Sequence, residues 1–145
     1  MEWQQMWDTS TAGRWTHRLI PNISTWIDRK YGDVSHYLTQ LLSGHGCFKA
    51  YQKRFHLDND SSCPTCDSET EDARHVFFKC PRFTSDRDKL TKTCHRKITP
   101  ESLVAVMLVS EENWDAVDEF AASIIKKLRT EERLRRGQTT PEEAC

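Results

Sequence analysis

Cys63, Cys66, His75 and Cys80 fall within eighteen consecutive positions, as a Cys-x2-Cys pair followed by His-x4-Cys. Both thiolates of such a pair can turn to one side of a tight loop, and Pro64 between them stiffens that turn. Three soft sulfurs and one imidazole are the ligand inventory of a closed tetrahedral zinc site. With all four positions filled by protein, no place is left for a reactive water, so the chemistry expected of Zn2+ here is structural and not catalytic. Three thiolates and a neutral imidazole would leave one net negative charge, and Arg74, Lys79 and Arg82 stand close enough in sequence to offset it. The same cysteines could instead be buried small hydrophobes or disulfide partners. The N-terminus lacks the basic-then-apolar layout of a secretory signal, and no apolar run reaches a membrane span, so an intracellular setting, cytoplasmic or nuclear and away from membranes, is expected.

The elements that must position these ligands read mostly as helices. Thr70 with Glu71 and Asp72 predicts a cap and an acidic first turn for a helix over Ala73 to Phe78, and Pro81 biases Cys80 away from helical geometry. Cys80 would therefore curl back beside His75. Upstream, Trp3, Met6 and Trp7 have helical spacing and suggest a short helix docking by its aromatics; Trp15, Leu19 and Ile20 point inward before Pro21. Asn22 caps a segment from Ile23 to Lys30 with an Ile23, Trp26 and Ile27 stripe. Asp33 or Ser35 caps a helix carrying Val34, Leu38, Leu41 and Leu42 that stops at Gly44. Phe48, Tyr51 and Phe55 mark a further helix with Lys49, Lys53 and Arg54 on its polar side, and His56 to Ser62 is a polar connection. After the cysteine cluster, Phe83 and Leu90 staple a helix capped by Thr84 or Ser85. Thr99-Pro100-Glu101 starts an apolar helix over Leu103 to Val109, and Ser110 caps a last one striped by Trp114, Val117, Ala121, Ile124, Ile125 and Leu128.

At 145 residues the chain is one domain, or one with a tail, and 37% hydrophobic residues make a modest core for which a metal staple would matter. The fold class expected is mainly α, a small helical domain stapled by one Cys3His zinc knuckle. It divides into a basic helical segment (1–56), the knuckle (57–83), C-terminal helices (84–136) and a disordered tail (137–145). The net charge of −1 conceals an asymmetry: residues 14–56 carry seven Lys and Arg against only Asp28 and Asp33. A basic segment beside a knuckle suggests a polyanionic partner, although a solvated helical face has the same composition.

Three separated stretches carry a likeness to a known family. Gly13-Arg14-Trp15-Thr16 through Leu19-Ile20-Pro21, Tyr37 through Gly44-His45-Gly46-Cys47-Phe48, and Cys63-Pro64-x-Cys66 with Glu71 through Phe83 occur in that order. They resemble the carboxy-terminal segment of reverse transcriptases from non-LTR (LINE-type) retrotransposons, of the arthropod type-1 elements that insert into ribosomal RNA genes. The resemblance implies that Cys63, Cys66, His75 and Cys80 are zinc ligands. It also implies a tail that helps an upstream reverse transcriptase domain of the same polyprotein hold template RNA or target DNA during target-primed reverse transcription. The Asp-Asp polymerase signature and the endonuclease carboxylate and histidine array of the full family protein are missing here, so no enzymatic activity carries over.

The candidate phosphate contacts are Arg14, Arg18, Lys49, Lys53, Arg54, Arg74, Lys79 and Arg82. Trp15, Trp26 and Tyr51 could stack on bases, but aromatics at this spacing more often build core. His45 with Cys47, and Cys94 with His95, are secondary metal candidates whose settings fit helix termination and packing better. Two other functional classes use the same residues: a zinc-stapled protein-interaction domain docking on a polymerase or on itself, and a thiol redox protein with a Cys63–Cys66 disulfide.

Overall fold

The computed structural model describes residues 2–54, 61–66 and 69–137, apart from the side chains at 52, 54 and 136. Phe55, the connection from His56 to Asp60, the side chain of Arg54 and the tail beyond Gly137 lie outside the described residues. Nine α-helices and no strand occur among the described residues: α1 (Glu2–Thr9), α2 (Arg14–Leu19), α3 (Ile23–Ile27), α4 (His36–Ser43), α5 (Lys49–Arg54), α6 (Ala73–Phe78), α7 (Thr84–Cys94), α8 (Leu103–Met107) and α9 (Glu111–Arg136). The mainly helical class expected from the sequence is therefore the class observed.

α9 is the axis of the fold. Ser110 caps it by accepting the Asn113 N–H at 3.1 Å, and left-handed Gly137 ends it. Its stripe of Trp114, Val117, Ala121, Ile124, Ile125 and Leu128 is fully buried against α4, α6, α7 and α8. Leu38 and Leu41 of α4, Val76 and Phe77 of α6, Phe83, Leu90, and Leu103, Val106 and Met107 of α8 complete one continuous core. Single hydrogen bonds fix the outer helices to it: Trp15 Nε1 donates to Leu41 O and Thr16 Oγ1 to Leu42 O, both at 2.8 Å, which clamps α2 onto the end of α4. Gly32 lets the chain pass close to α9. Its φ is +99°, and a Cβ there would stand 2.4 Å from the Trp114 indole.

Several expectations are corrected by packing. Of Trp3, Met6 and Trp7 in α1 it is Trp7 that docks, donating from Nε1 to Ile20 O, while Trp3 and Met6 are each 68% exposed. Asn22 and Ser35 cap as expected, but α3 ends at Ile27, which faces solvent, and Val34 precedes α4 and is exposed. The turn at Thr99 closes on Ser102, delaying α8 to Leu103, and Ala105 and Val109 are exposed where an all-round apolar helix was expected. Neither Thr84 nor Ser85 caps α7; its first turn follows the 3-10 turn Pro81–Phe83 directly.

Candidate metal centre

The Cys-x2-Cys turn sits at the tip of a short antiparallel ladder. Ser62 and Thr70 form an isolated bridge, flanked by Cys63 N–H to Glu69 O at 2.8 Å and Glu71 N–H to Ser61 O at 2.7 Å. The second ligand pair comes from α6. Asp72, not Thr70, is its cap and accepts the His75 N–H at 2.9 Å, so Glu71 falls outside the helix. At the other end the His75 carbonyl accepts two amides, Lys79 N–H at 2.9 Å and Cys80 N–H at 2.7 Å. The second of these bonds wraps the chain one residue beyond a helical turn, and Pro81 prevents the helix from continuing. Cys80 thereby returns to the side of His75.

These two pieces bring Cys63, Cys66, His75 and Cys80 together, with one ligand atom from each lying within 4.8 Å of all the others. The Cys63 and Cys80 sulfurs are 3.7 Å apart. A disulfide would place them near ~2.05 Å. Sulfurs about 2.3 Å from a common zinc would form a tetrahedral edge of about 3.8 Å, close to the distance observed. His75 is buried, and its Nε2 has no hydrogen-bond partner among the described residues. An orphaned nitrogen on an imidazole grouped with three thiols is a cost that a bound cation can remove. Burial lowers the His75 pKa, favouring the neutral ring that a metal requires. Burial pushes the Cys80 thiol up to about 11, with the Arg82 amide and guanidinium opposing, and burial raises Cys66 in the same direction. A divalent cation reverses that balance by stabilising thiolate. The group can hold a metal ion, and its donor set suits a soft, tetrahedral one. Cys94 is buried and His95 ends α7 in the left-handed region, while Cys47 is buried with its amide on Gln40; none joins the cluster.

A network missed by sequence reasoning surrounds the cluster. Glu71 is fully buried; its Oε1 accepts the Lys49 N–H at 2.9 Å and its Oε2 accepts Arg82 Nη2 at 2.7 Å. Arg82 reaches on to Glu131 of α9 at 2.6 Å and lies over the Phe83 ring. Arg87 donates to the Cys80 and Val76 carbonyls. The one signal in the sequence was an acidic residue next to a knuckle, which reads equally well as a helix first turn.

The candidate phosphate contacts separate by environment. Lys49 is 7% exposed, and Arg82 is held by two carboxylates with only 12% of its side chain exposed. Arg18 is exposed and pairs with Glu101, and Arg14 caps the carbonyls of Trp7 and Asp8 at the end of α1. Lys53 and Lys79 are exposed and Arg74 half-buried, and none of the three side chains makes a hydrogen bond or ion pair among the described residues. Of the aromatics, Trp26 stacks on Trp114, Trp15 packs edge-on against Phe78, and Tyr51 stacks on exposed His45 at 4.6 Å.

Fold and cluster together define a small all-helical domain clasped by a Cys3His metal-type site. The chain is similar to part of proteins from R1 type-1 retrotransposable elements, Pol polyproteins among them. A Pol polyprotein from element R1 4 of Nasonia vitripennis is 24% identical over 120 residues, covering 82% of this chain and 30% of that protein. A 115 kDa protein in element R1DM of Drosophila melanogaster is 36% identical over 88 residues, covering 59% of this chain and 8% of the relative. A Pol polyprotein from element R1 of Popillia japonica is 32% identical over 79 residues, 54% of this chain and 30% of its own length. The chain thus spans less than a third of each of these relatives. No protein-family model and no solved structure matches it. Among the described residues no helix is long and apolar enough to cross a membrane.

Proposed function

We propose that the chain is a zinc- and nucleic-acid-binding accessory module from the C-terminal part of a LINE-type reverse transcriptase, helping to hold template RNA or target DNA in target-primed reverse transcription. The observation that carries this reading is the relatedness to Pol proteins over a segment that contains a preassembled Cys3His group. In this reading Cys63, Cys66, His75 and Cys80 hold Zn2+, which replaces part of a core too small to be stable alone. The knuckle over residues 57–83 fastens the basic helical segment 1–56 to the helices of 84–136. Arg14, Arg18, Lys53, Arg54, Arg74 and Lys79 contact phosphates, while Lys49 and Arg82 act within the domain. The partners are RNA or DNA and the upstream reverse transcriptase domain, and the setting is intracellular.

Native mass spectrometry of the purified chain with and without a short RNA hairpin tests the reading. One zinc per chain and a one-to-one RNA complex are expected, and no bound metal would refute it. With about six phosphate contacts, log affinity should fall against log salt with a slope near −4 to −5, and a flat salt response would count against the mode of binding. A second reading, docking on the polymerase or on another copy, is supported by the exposed Trp3 and Met6 of α1. It predicts that Arg74→Glu with Lys79→Glu leaves docking intact, whereas the first reading predicts loss of nucleic acid.

A further inference from the structure

The strongest unassigned feature is a cleft of about 320 Å³ lined by the start of α2, the α4–α5 turn and the start of α6. Arg14, Trp15, Gly44, His45, Tyr51 and Arg74 are among the residues that line it. The three sequence stretches singled out above, far apart in the chain, meet at this place. We infer that the cleft is a single-nucleotide subsite for single-stranded nucleic acid, with a base stacked on the His45–Tyr51 pair and its flanking phosphates held by Arg14 and Arg74. The inference rests on the nucleic-acid reading above and gives it a location.

The chemistry of the lining fits this ligand class and excludes most others. His45 and Tyr51 lie with ring centroids 4.6 Å apart and planes only 24° from parallel, so they already form a π platform. His45 is exposed, which leaves the outer face of that platform open to a third ring. Every base has a π face, so a platform of this kind takes RNA or DNA without selecting sequence. Two arginines line the same cleft. Arg14 spends three of its five donors on the carbonyls of Ala12, Asp8 and Trp7, which fixes the side chain and leaves the others for a ligand. The Arg74 side chain makes no hydrogen bond or ion pair among the described residues. The one acidic side chain in the lining, Asp72, accepts the His75 N–H as the α6 cap.

The backbone keeps the space open. Gly44 has φ +73°, and a Cβ there would press against Trp15 Cδ1 at 3.3 Å, so a side chain at this lining position would be strained and crowded. A volume at the small end of ligand sites suits one nucleotide, and a duplex would have no way to present a base face to it. Arg74 also lines a second cleft of about 340 Å³ with Cys66, Glu69, His75 and Lys79, so it stands between the first site and the metal centre.

The test uses the whole zinc-loaded chain and fluorescein-labelled ten-nucleotide strands of oligouridylate, oligothymidylate and an abasic backbone, read by anisotropy. His45→Ala should weaken both base-bearing strands by about 5- to 100-fold and leave the abasic strand unchanged, as expected of one lost stacking contact. Arg74→Gln should weaken all three. A difference between the two base-bearing strands assigns RNA or DNA as the natural source. In parallel, a 5-bromouridine strand is photocrosslinked to the unaltered chain and the peptide mapped, which does not depend on any variant folding. Crosslinks should fall in the peptides holding Trp15 or Tyr51. If the unaltered chain binds none of the strands, the nucleic-acid reading itself fails. If it binds but His45→Ala has no effect on the base-bearing strands, or the crosslinks fall on α9, only the subsite is overturned.

Discussion

The Glu71–Arg82–Glu131 relay should be worth more to this fold than its exposed ion pairs. Removing either end of the inner pair leaves a charge inside the protein. In Arg82→Met, Glu71 remains fully buried with the Lys49 N–H as its one neutral donor, and Glu131 loses its partner. Breaking a buried pair from one side costs about 3–5 kcal/mol. In Glu71→Gln the acceptor for Lys49 survives, but Arg82 keeps only Glu131, so a loss of about 2–4 kcal/mol is expected. Against a total stability of roughly 5–15 kcal/mol, each single change removes a large share. The double variant removes both charges, keeps the amide acceptor and leaves a methionine of similar length. It should therefore be less destabilised than the sum of the singles by about 2 kcal/mol or more. Urea unfolding followed by circular dichroism at 222 nm, with zinc saturating throughout, measures all four corners of the cycle. Singles that cost less than about 1 kcal/mol, or that add within about 0.5 kcal/mol, would show that the relay is no more than a surface contact.

Metal uptake should release roughly two to three protons per ion near neutral pH, because burial keeps Cys80 and Cys66 protonated without a cation; calorimetry in two buffers of different ionisation enthalpy reads the number. Chelation should remove the helical dichroism contributed by α6 while sparing much of α9, and a fully retained spectrum would contradict a structural metal. Gly32→Ala should cost about 2–5 kcal/mol, since a left-handed alanine adds about 1–2 and its Cβ would overlap the Trp114 indole. Burial raises the Glu131 carboxyl above its ordinary 4.5, outweighing Arg82, so the stability linked to this group is full below that value and is lost as pH rises through the folded pKa. Relative to the native chain, Glu131→Gln should thus look better at pH 7 than at pH 4; the opposite trend in urea midpoints would mean that the ion pair dominates.

What could be read from the sequence was whatever depends on local spacing. The α9 stripe, the Ser35, Asn22 and Ser110 caps, the stop at Gly44 and the four grouped ligand types each follow from residues within a few turns of one another. The return of Cys80 beside His75 was also legible, because Pro81 forbids the alternative. What failed depends on pairing at a distance. Glu71 and Glu131 are separated by sixty positions, and nothing in the pattern of either distinguishes a buried partner of Arg82 from a solvated acid. Trp3 and Met6 have the spacing of a docking face, but Trp7 and Gln4 already fasten α1 to residues 20–23, leaving the other two aside.

The metal-type group and the cleft share α6, so a change at one should be felt at the other. α6 has only six residues, too few to be stable by its own hydrogen bonds. It is held by Asp72 at its start, by the core contacts of Val76 and Phe77 along its length, and by the cluster through His75 and Cys80. Arg74 lies between the cap and the first of those ligands, so its position over the cleft is set by the same turn that presents His75. A His75→Ala chain that still folds around α9 should therefore lose affinity for single strands together with its metal, although residue 75 lines no part of the subsite. Binding that survives loss of the metal unchanged would mean that the cations reach the phosphates from α2 and α5 alone, and that the cluster fastens the fold without orienting the ligand.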